Sequence, residues 1–269
     1  MNPINTSTRS GRVRILPSFS RMVFAIWYRH YRVYQNNFWT NSFPTVLEPL
    51  IFILAVGWGL ASAVGTMDGM DYLTFIAPAQ AMMAAVYTSA FEESYGTYFR
   101  MMVDHNYDAM ISTPVGVREV FWGELLYTGT KGWFFSLVVI VVLAFFGVIH
   151  SAWALLVPFV GFFTAIAFGS LGLFAARLVK NINQFNFFIT GVVSPLILFS
   201  GTLFPVDKLP HVVSITAKVL PLYYFIDLSR MLTTGRFTDD LYVAVPYVLI
   251  VPFILGTFAV RTMNKKLIQ

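Results

Sequence analysis

The 269-residue chain is 57% hydrophobic and only 12% charged, with a mean hydropathy of +0.68, well beyond the roughly 45–50% apolar content of an ordinary soluble domain. Its 27 Phe and 13 Tyr cannot all be hidden in one soluble core, but they can face lipid or sit at its interfaces, so most soluble enzymes are excluded. The formal charge of +5 comes from bases beside apolar runs, which is a topology signal and not a nucleic-acid footprint, and the lack of cysteine excludes disulfides and thiolate metal sites.

Residues 1–43 form a basic arm holding Arg9, Arg12, Arg14, Arg21, Arg29 and Arg32 and no acidic residue; such an arm is expected to stay cytoplasmic. Within it Phe19, Val23, Trp27, Tyr31 and Tyr34 recur at helical spacing. An amphipathic helix lying in the interface and a helix packed on the protein's own bundle both fit that pattern. The first strongly apolar segment begins near Pro44, too deep and too long for a removable secretory signal.

Residues 44–269 are predicted to be one all-α polytopic unit. A helix needs roughly 20 apolar residues to cross about 30 Å of hydrocarbon with its backbone satisfied internally. Six such spans are expected at about 44–65, 73–93, 120–148, 152–176, 183–205 and 241–260. On this assignment thirteen bases lie in the arm, the second and fourth gaps and the tail, against four (Lys208, Lys218, Arg230 and Arg236) in the other gaps, with Lys131 inside a span. That bias puts both termini on the cytoplasmic side.

The gap holding Asp68 and Asp71, and the one holding little beyond His150, read as short hairpin turns. The segment at about 206–240 mixes apolar runs with Pro205, Pro210 and Pro221. A re-entrant pair of short helices before the last span fits it, provided protein or a water-filled cavity covers its backbone.

The most informative polar stretch runs from Glu92 to Pro114. Apolar and aromatic positions alternate there with charge, which suits a short helix at the membrane surface able to pass force from a soluble partner into two spans; a solvated connecting loop is the bland alternative. His105 beside Asp104 and Asp108 has no second imidazole or thiolate, so no metal is expected. Glu92, Glu93, Glu124 and Lys131 lie near span edges, where each should snorkel, pair or face a cavity. A proton relay through Glu93 or Glu124 is the sharper alternative.

In the fifth span Pro195 removes a backbone donor, making a kink and hinge plausible. The amides of Asn181, Asn183, Gln184 and Asn186 before it can grip a headgroup or join helices. Span four carries Gly161, Ala165, Gly169 and Gly172 at one-turn intervals, a close-packing pattern. The chain has no phosphate-cradling Gly-rich loop or nucleophile elbow, so any nucleotide must be hydrolysed by another chain. The ionisable groups scatter among termini and gaps, against a membrane enzyme.

Three segments carry a family resemblance: the basic arm running into Asn41–Leu50, the run Asn106–Val115, and Ser200–Val206 followed by Leu220–Tyr224. With these in order over nearly the whole length, the chain resembles the membrane component of an ABC-2 type exporter, and more closely the lipooligosaccharide and nodulation-factor export permeases. The resemblance implies six spans, an amphipathic entry helix at roughly 18–40, a coupling helix at roughly 95–114 and a re-entrant segment before span six. It further implies a second permease copy or paralogue and a pair of cytoplasmic ABC ATPase subunits. ATP and Mg would sit on those partners, with no cofactor on this chain.

The positions expected to couple to the ATPase are Tyr98, Arg100, Asn106, Tyr107, Asp108 and Pro114. Phe185, Phe187, Phe188, Tyr223 and Tyr224 are substrate-path candidates, and Pro195, Gly201 and Pro205 hinge candidates. The function so implied is export of a lipid-linked oligosaccharide or related amphiphile across the bacterial cytoplasmic (inner) membrane. A multidrug or other lipid exporter is the nearest alternative, and a proton-driven secondary transporter a more distant one.

Overall fold

The computed structural model describes residues 18–267, and among them the chain is almost wholly helical. Helix α1 (Phe19–Asn36) ends at Asn37 and the chain re-enters helix as α2 (Phe38–Ala55), which continues through a π turn at Val56–Leu60 to Ala61–Val64. A two-residue hairpin, β1 (Thr66–Met67) with β2 (Met70–Asp71), turns at Asp68 and Gly69, both at positive φ, the geometry in which Asp-Gly closes a tight antiparallel pair. Asp71 then caps α3 (Tyr72–Phe91), its carboxylate accepting from the Leu73 amide at 3.1 Å.

Beyond α3 the helix loosens through two π turns, Glu92–Gly96 and Phe99–Val103, then breaks at His105 (φ 50°) before the short α4 (Asn106–Ile111). The long α5 (Val117–Phe145) follows, then a 3-10 turn at Ala152–Leu156 leading into α6 (Val157–Leu178). Helix α7 (Ile182–Phe199) contains a π turn at Ile189–Val193 just ahead of Pro195. It stops at Phe199, short of the 205 expected, because the chain turns through Gly201 at φ 75°, a conformation favouring glycine. Helices α8 (His211–Val219) and α9 (Tyr223–Thr234) meet at 85°, and α10 (Leu241–Leu267) closes the fold, seven residues longer than the expected span.

Among the described residues four helices, α5, α6, α7 and α10, are long and apolar enough to cross a membrane, or five if the bent α8–α9 pair is one span. Helix α3 stands outside that set because Gln80, Pro78 and its threonines dilute its apolar character. It tolerates them because Gln80 and most of its neighbours are buried in the bundle and not presented to lipid.

Helix α6 is the packing centre. A Cβ on Gly132 of α5 would lie 2.8 Å from the Gly161 carbonyl and overlap Ala165, and one on Gly172 would lie 3.0 Å from the Ala90 carbonyl of α3. The small residues of span four therefore serve close helix contact, as expected. Lys266 at the end of α10 donates to the carbonyls of Ala176 (3.2 Å) and Arg177 (2.9 Å), satisfying the C-terminal turn of α6. On the opposite end Arg230 of α9 donates to Phe75 O (3.1 Å) and Gly201 O (2.8 Å) and lies 3.9 Å over the Phe75 ring, pinning the 200–234 segment to α3. Helix α1 lies on α5, where Gly123 meets Ile26 so closely that a Cβ would stand 2.6 Å from it. Its other face leaves Phe19, Phe24, Tyr28 and Tyr31 exposed, so the arm helix both packs on the bundle and offers an apolar face.

Candidate functional site

The charged residues that seemed isolated in sequence converge at the end of the bundle carrying the 95–114 segment. Glu124, Thr128 and Lys131 recur at one-turn spacing along one face of α5. Glu92, Glu93, Thr97 and Arg100 occupy the loosened extension of α3. Glu93 and Glu124 are wholly buried. Glu93 fits because Gly169 and Gly172 of α6 face its methylenes, and it accepts hydrogen bonds from the Thr128 hydroxyl and from Thr97 Oγ1 (3.2 Å).

Arg100 is the hub. Its Nη1 lies 2.8 Å from Glu92 Oε1 and its Nε 3.1 Å from Glu124 Oε1, while Lys131 Nζ takes Glu92 Oε2 at 2.9 Å. Burial by itself would tend to discharge the guanidinium, but Glu124, Tyr107 and Glu92 hold its pKa above the ordinary arginine range. Tyr107 of α4 is buried and donates to the Glu124 carboxylate at 2.8–2.9 Å. Burial pushes that phenol well above its usual range, so it stays a donor. His30 of α1 brings its Nε2 to 3.3 Å from Glu124 Oε1. One carboxylate thereby touches the arm helix, α4 and the end of α3; of the edge charges expected to snorkel, pair or face a cavity, Glu92, Glu124 and Lys131 pair, whereas Glu93 is buried against the Thr97 and Thr128 hydroxyls.

The coupling candidates divide by direction. Tyr107 and Arg100 turn inward, while Asn106 bonds Asp104 at 3.3 Å near the surface and Pro114 is exposed. Tyr98 packs edge-on to Phe185, and the side chain of Asp108 lies outside the described residues. The substrate-path candidates do not converge. Phe185 is buried against Tyr95 and Tyr98, Phe188 is buried, and Phe187 is 78% exposed. Tyr223 and Tyr224 meet edge-to-face, and Tyr224 reaches Tyr247, away from the three phenylalanines. Of the amides at the start of α7, Asn186 accepts from Tyr95 (3.1 Å), a helix-joining contact, whereas Gln184 accepts from the nearby Lys180 amide (2.9 Å) and Asn181 from the Asn183 amide (3.2 Å), which only shape the local turn. The hinge candidates flank the end of α7, where Gly201 is held by Arg230 and Pro205 opens a 3-10 turn.

Beside the charge cluster a cavity of about 630 Å³ opens between α2, α3 and α5, lined by Glu48, Gln80, Tyr87, Thr88, Glu92 and Lys131 together with aromatic rings. Neither His30 nor Gln80 stands out in the sequence, and Glu48 does so only as part of the Asn41–Leu50 segment: His30 is one polar residue among the arginines of α1 and Gln80 a lone amide in an apolar helix, and nothing in the linear order says which cavity each meets.

Residues 21–233 match the ABC-2 type transporter family. The chain is 31% identical over 255 residues to Nodulation protein J of Rhizobium leguminosarum bv. trifolii, covering 93% of this chain and 96% of that one. It is 30% identical over 255 residues to Nodulation protein J of Rhizobium meliloti (strain 1021), with the same coverage. The inner membrane transport permease YadH of Escherichia coli (strain K12) is 21% identical over 236 residues, 88% of this chain and 91% of the relative.

Proposed function

The chain belongs to the ABC-2 type transporter family, and from that we propose that it is the permease subunit of an ATP-driven exporter of a lipid-linked oligosaccharide or related amphiphile. In this reading the chain crosses the bacterial cytoplasmic membrane six times, with α2 and α3 joining α5, α6, α7 and α10, both termini inside, and the α8–α9 pair re-entrant from the outer face. It works with a second permease copy or paralogue and a pair of cytoplasmic ATPase subunits that carry the ATP and Mg. The limited burial of α7, the least covered of the four apolar helices, leaves a face for that second permease.

The observation that carries the reading is the cavity between α2, α3 and α5, whose largely apolar wall is studded with charged and amide groups. Its volume falls within the roughly 300–1,000 Å³ of ligand sites, and its wall offers what a sugar headgroup needs: carboxylate and amide acceptors at Glu48, Glu92 and Gln80, and ring faces at Tyr87, Phe91 and Phe135. Acyl chains would stay against the apolar helix surfaces outside. Coupling runs through the 95–114 segment: its outward residues meet the ATPase, and Tyr107 and Arg100 pass its movement to α5, α3 and α1 through Glu124. The cycle requires the headgroup to bind the inward- and outward-open states unequally, since equal affinity would shift nothing.

The test is co-purification with the candidate ATPase, reconstitution, and a screen of glycolipids and hydrophobic drugs for stimulated ATP use and vectorial movement. Stimulation by glycolipids, weakened by Glu48→Gln and Gln80→Ala, is expected. Stimulation by drugs alone would assign a multidrug exporter, and movement by the isolated chain without ATP would overturn the ATP-driven mechanism.

A further inference from the structure

The cleft between α1 and α5 meets the cavity just described at Asn41, Glu92 and Lys131 but opens on the other side of Lys131, towards α1, and two adjoining spaces divide it by chemistry. The first, about 310 Å³, is polar, with three cations, Arg29, Arg100 and Lys131, in its wall beside the amide of Asn37 and the carboxylates of Glu92 and Asp104. The second, about 480 Å³, is a largely apolar groove bordered by Tyr31, Phe38, Trp133 and Phe134. They adjoin at Tyr34, Tyr127 and Lys131, which line both. Lys131 Nζ stands 5.0 Å from the Tyr34 ring centroid and 5.8 Å from that of Tyr127, so the one cation at the junction sits between two aromatic faces.

From this juxtaposition we propose that the α1–α5 cleft binds a phospholipid of the adjacent leaflet, with its phosphate between Arg29 and Lys131 and one acyl chain laid along Trp133 and Phe134. Three observations commit the site to that occupant. Arg29 is half-buried at the polar end and makes no ion pair or side-chain hydrogen bond among the described residues, unlike Arg100, whose charge is taken by Glu92 and Glu124. Lys131 meets a single carboxylate that it shares with Arg100, leaving donors for an anion. Helix α1 carries the exposed Phe24, Tyr28 and Tyr31 on the same helix as Arg21, Arg29 and Arg32, the composition of a helix lying at headgroup depth. A polar pocket at that depth opening onto an apolar groove matches an amphiphile end to end.

The experiment uses the full chain purified in a maltoside micelle, without nucleotide or ATPase. Phosphatidylglycerol with a photoactivatable acyl chain is cross-linked and the labelled peptides are mapped. Labelling of the 127–134 region is expected, displaced by unlabelled phosphatidylglycerol but not by diacylglycerol or by inorganic phosphate. Arg29→Gln is expected to weaken it roughly tenfold, the loss of one charge-assisted contact, and Arg29→Lys to restore most of it. Equal displacement by diacylglycerol would make the groove merely greasy, equal displacement by phosphate would make the pocket a free-anion site, and unchanged labelling in Arg29→Gln would remove the headgroup contact; each overturns the proposal. Arg29 lies in the arm helix on the surface, so the variant is expected to insert normally, which a retained elution profile checks. Because no transport is measured, failure here leaves the exporter reading standing.

Discussion

The sharpest consequence of the charge cluster is thermodynamic coupling between Arg100 and Glu124, 24 positions apart in sequence and 3.1 Å apart in space. Arg100→Gln leaves Glu124 with Tyr107 and His30, and leaves Glu92 with Lys131. Glu124→Gln leaves Arg100 with Glu92. Breaking a buried pair from one side costs about 3–5 kcal/mol because the survivor loses its compensation; the remaining partners put both single changes near the lower edge, about 3 kcal/mol each. The double change removes both charges together, and its loss should fall short of the summed singles by roughly 1–3 kcal/mol, the range for residues sharing one network. Denaturant titration of the four proteins in mixed micelles measures the cycle, provided each variant inserts. Additivity to within about 0.5 kcal/mol would show that the two side chains do not interact, and the hub assignment of Arg100 would fail.

Further outcomes follow from the same geometry. Tyr107→Phe keeps the buried ring and its edge contact with Phe121 but removes the donor to Glu124; it should cost about 1.5–3 kcal/mol and, in the reconstituted complex, lower transport per ATP more than ATP turnover itself. Gly132→Val drives a branched side chain into Ala165 and the Gly161 carbonyl, with an expected loss of about 1–3 kcal/mol read as a lower unfolding midpoint in detergent. Arg230→Met frees the carbonyls of Phe75 and Gly201, and hydrogen exchange should rise across 200–222 while α5 and α6 stay protected. Asp108→Ala and Pro114→Ala should insert normally and weaken capture of the ATPase; normal capture and normal transport by both would move the docking surface elsewhere.

Much of the fold was legible because membrane helices announce themselves by length. The hairpin at Asp68, the close-packing residues of α6 and the bent pair before α10 were all readable from turn chemistry, residue size and proline spacing. Hydropathy was least informative for α3: Gln80 and Pro78 look costly in a span until the surrounding helices are seen to cover them. The extent of α7 was overestimated because apolar residues continue past Phe199, whereas the backbone turns at Gly201.

What the sequence determined alone was the solvent and the helices: peptide groups left dry must bond within their own segment, so long apolar runs become helices whatever they pack against. It also marked Glu92, Glu93, Glu124 and Lys131 as charges needing partners. Which partners they take was decided only by the tertiary structure. His30 reaches Glu124 across 94 positions, and Lys131 reaches Glu92 across 39, because α1 and α3 both pack on α5, Gly123 admitting α1 to α5 while Gly169 and Gly172 of α6 make room for Glu93 at the end of α3. Interhelical approach depends on side-chain volume summed over facing surfaces, and that sum is fixed by packing and not by order along the chain.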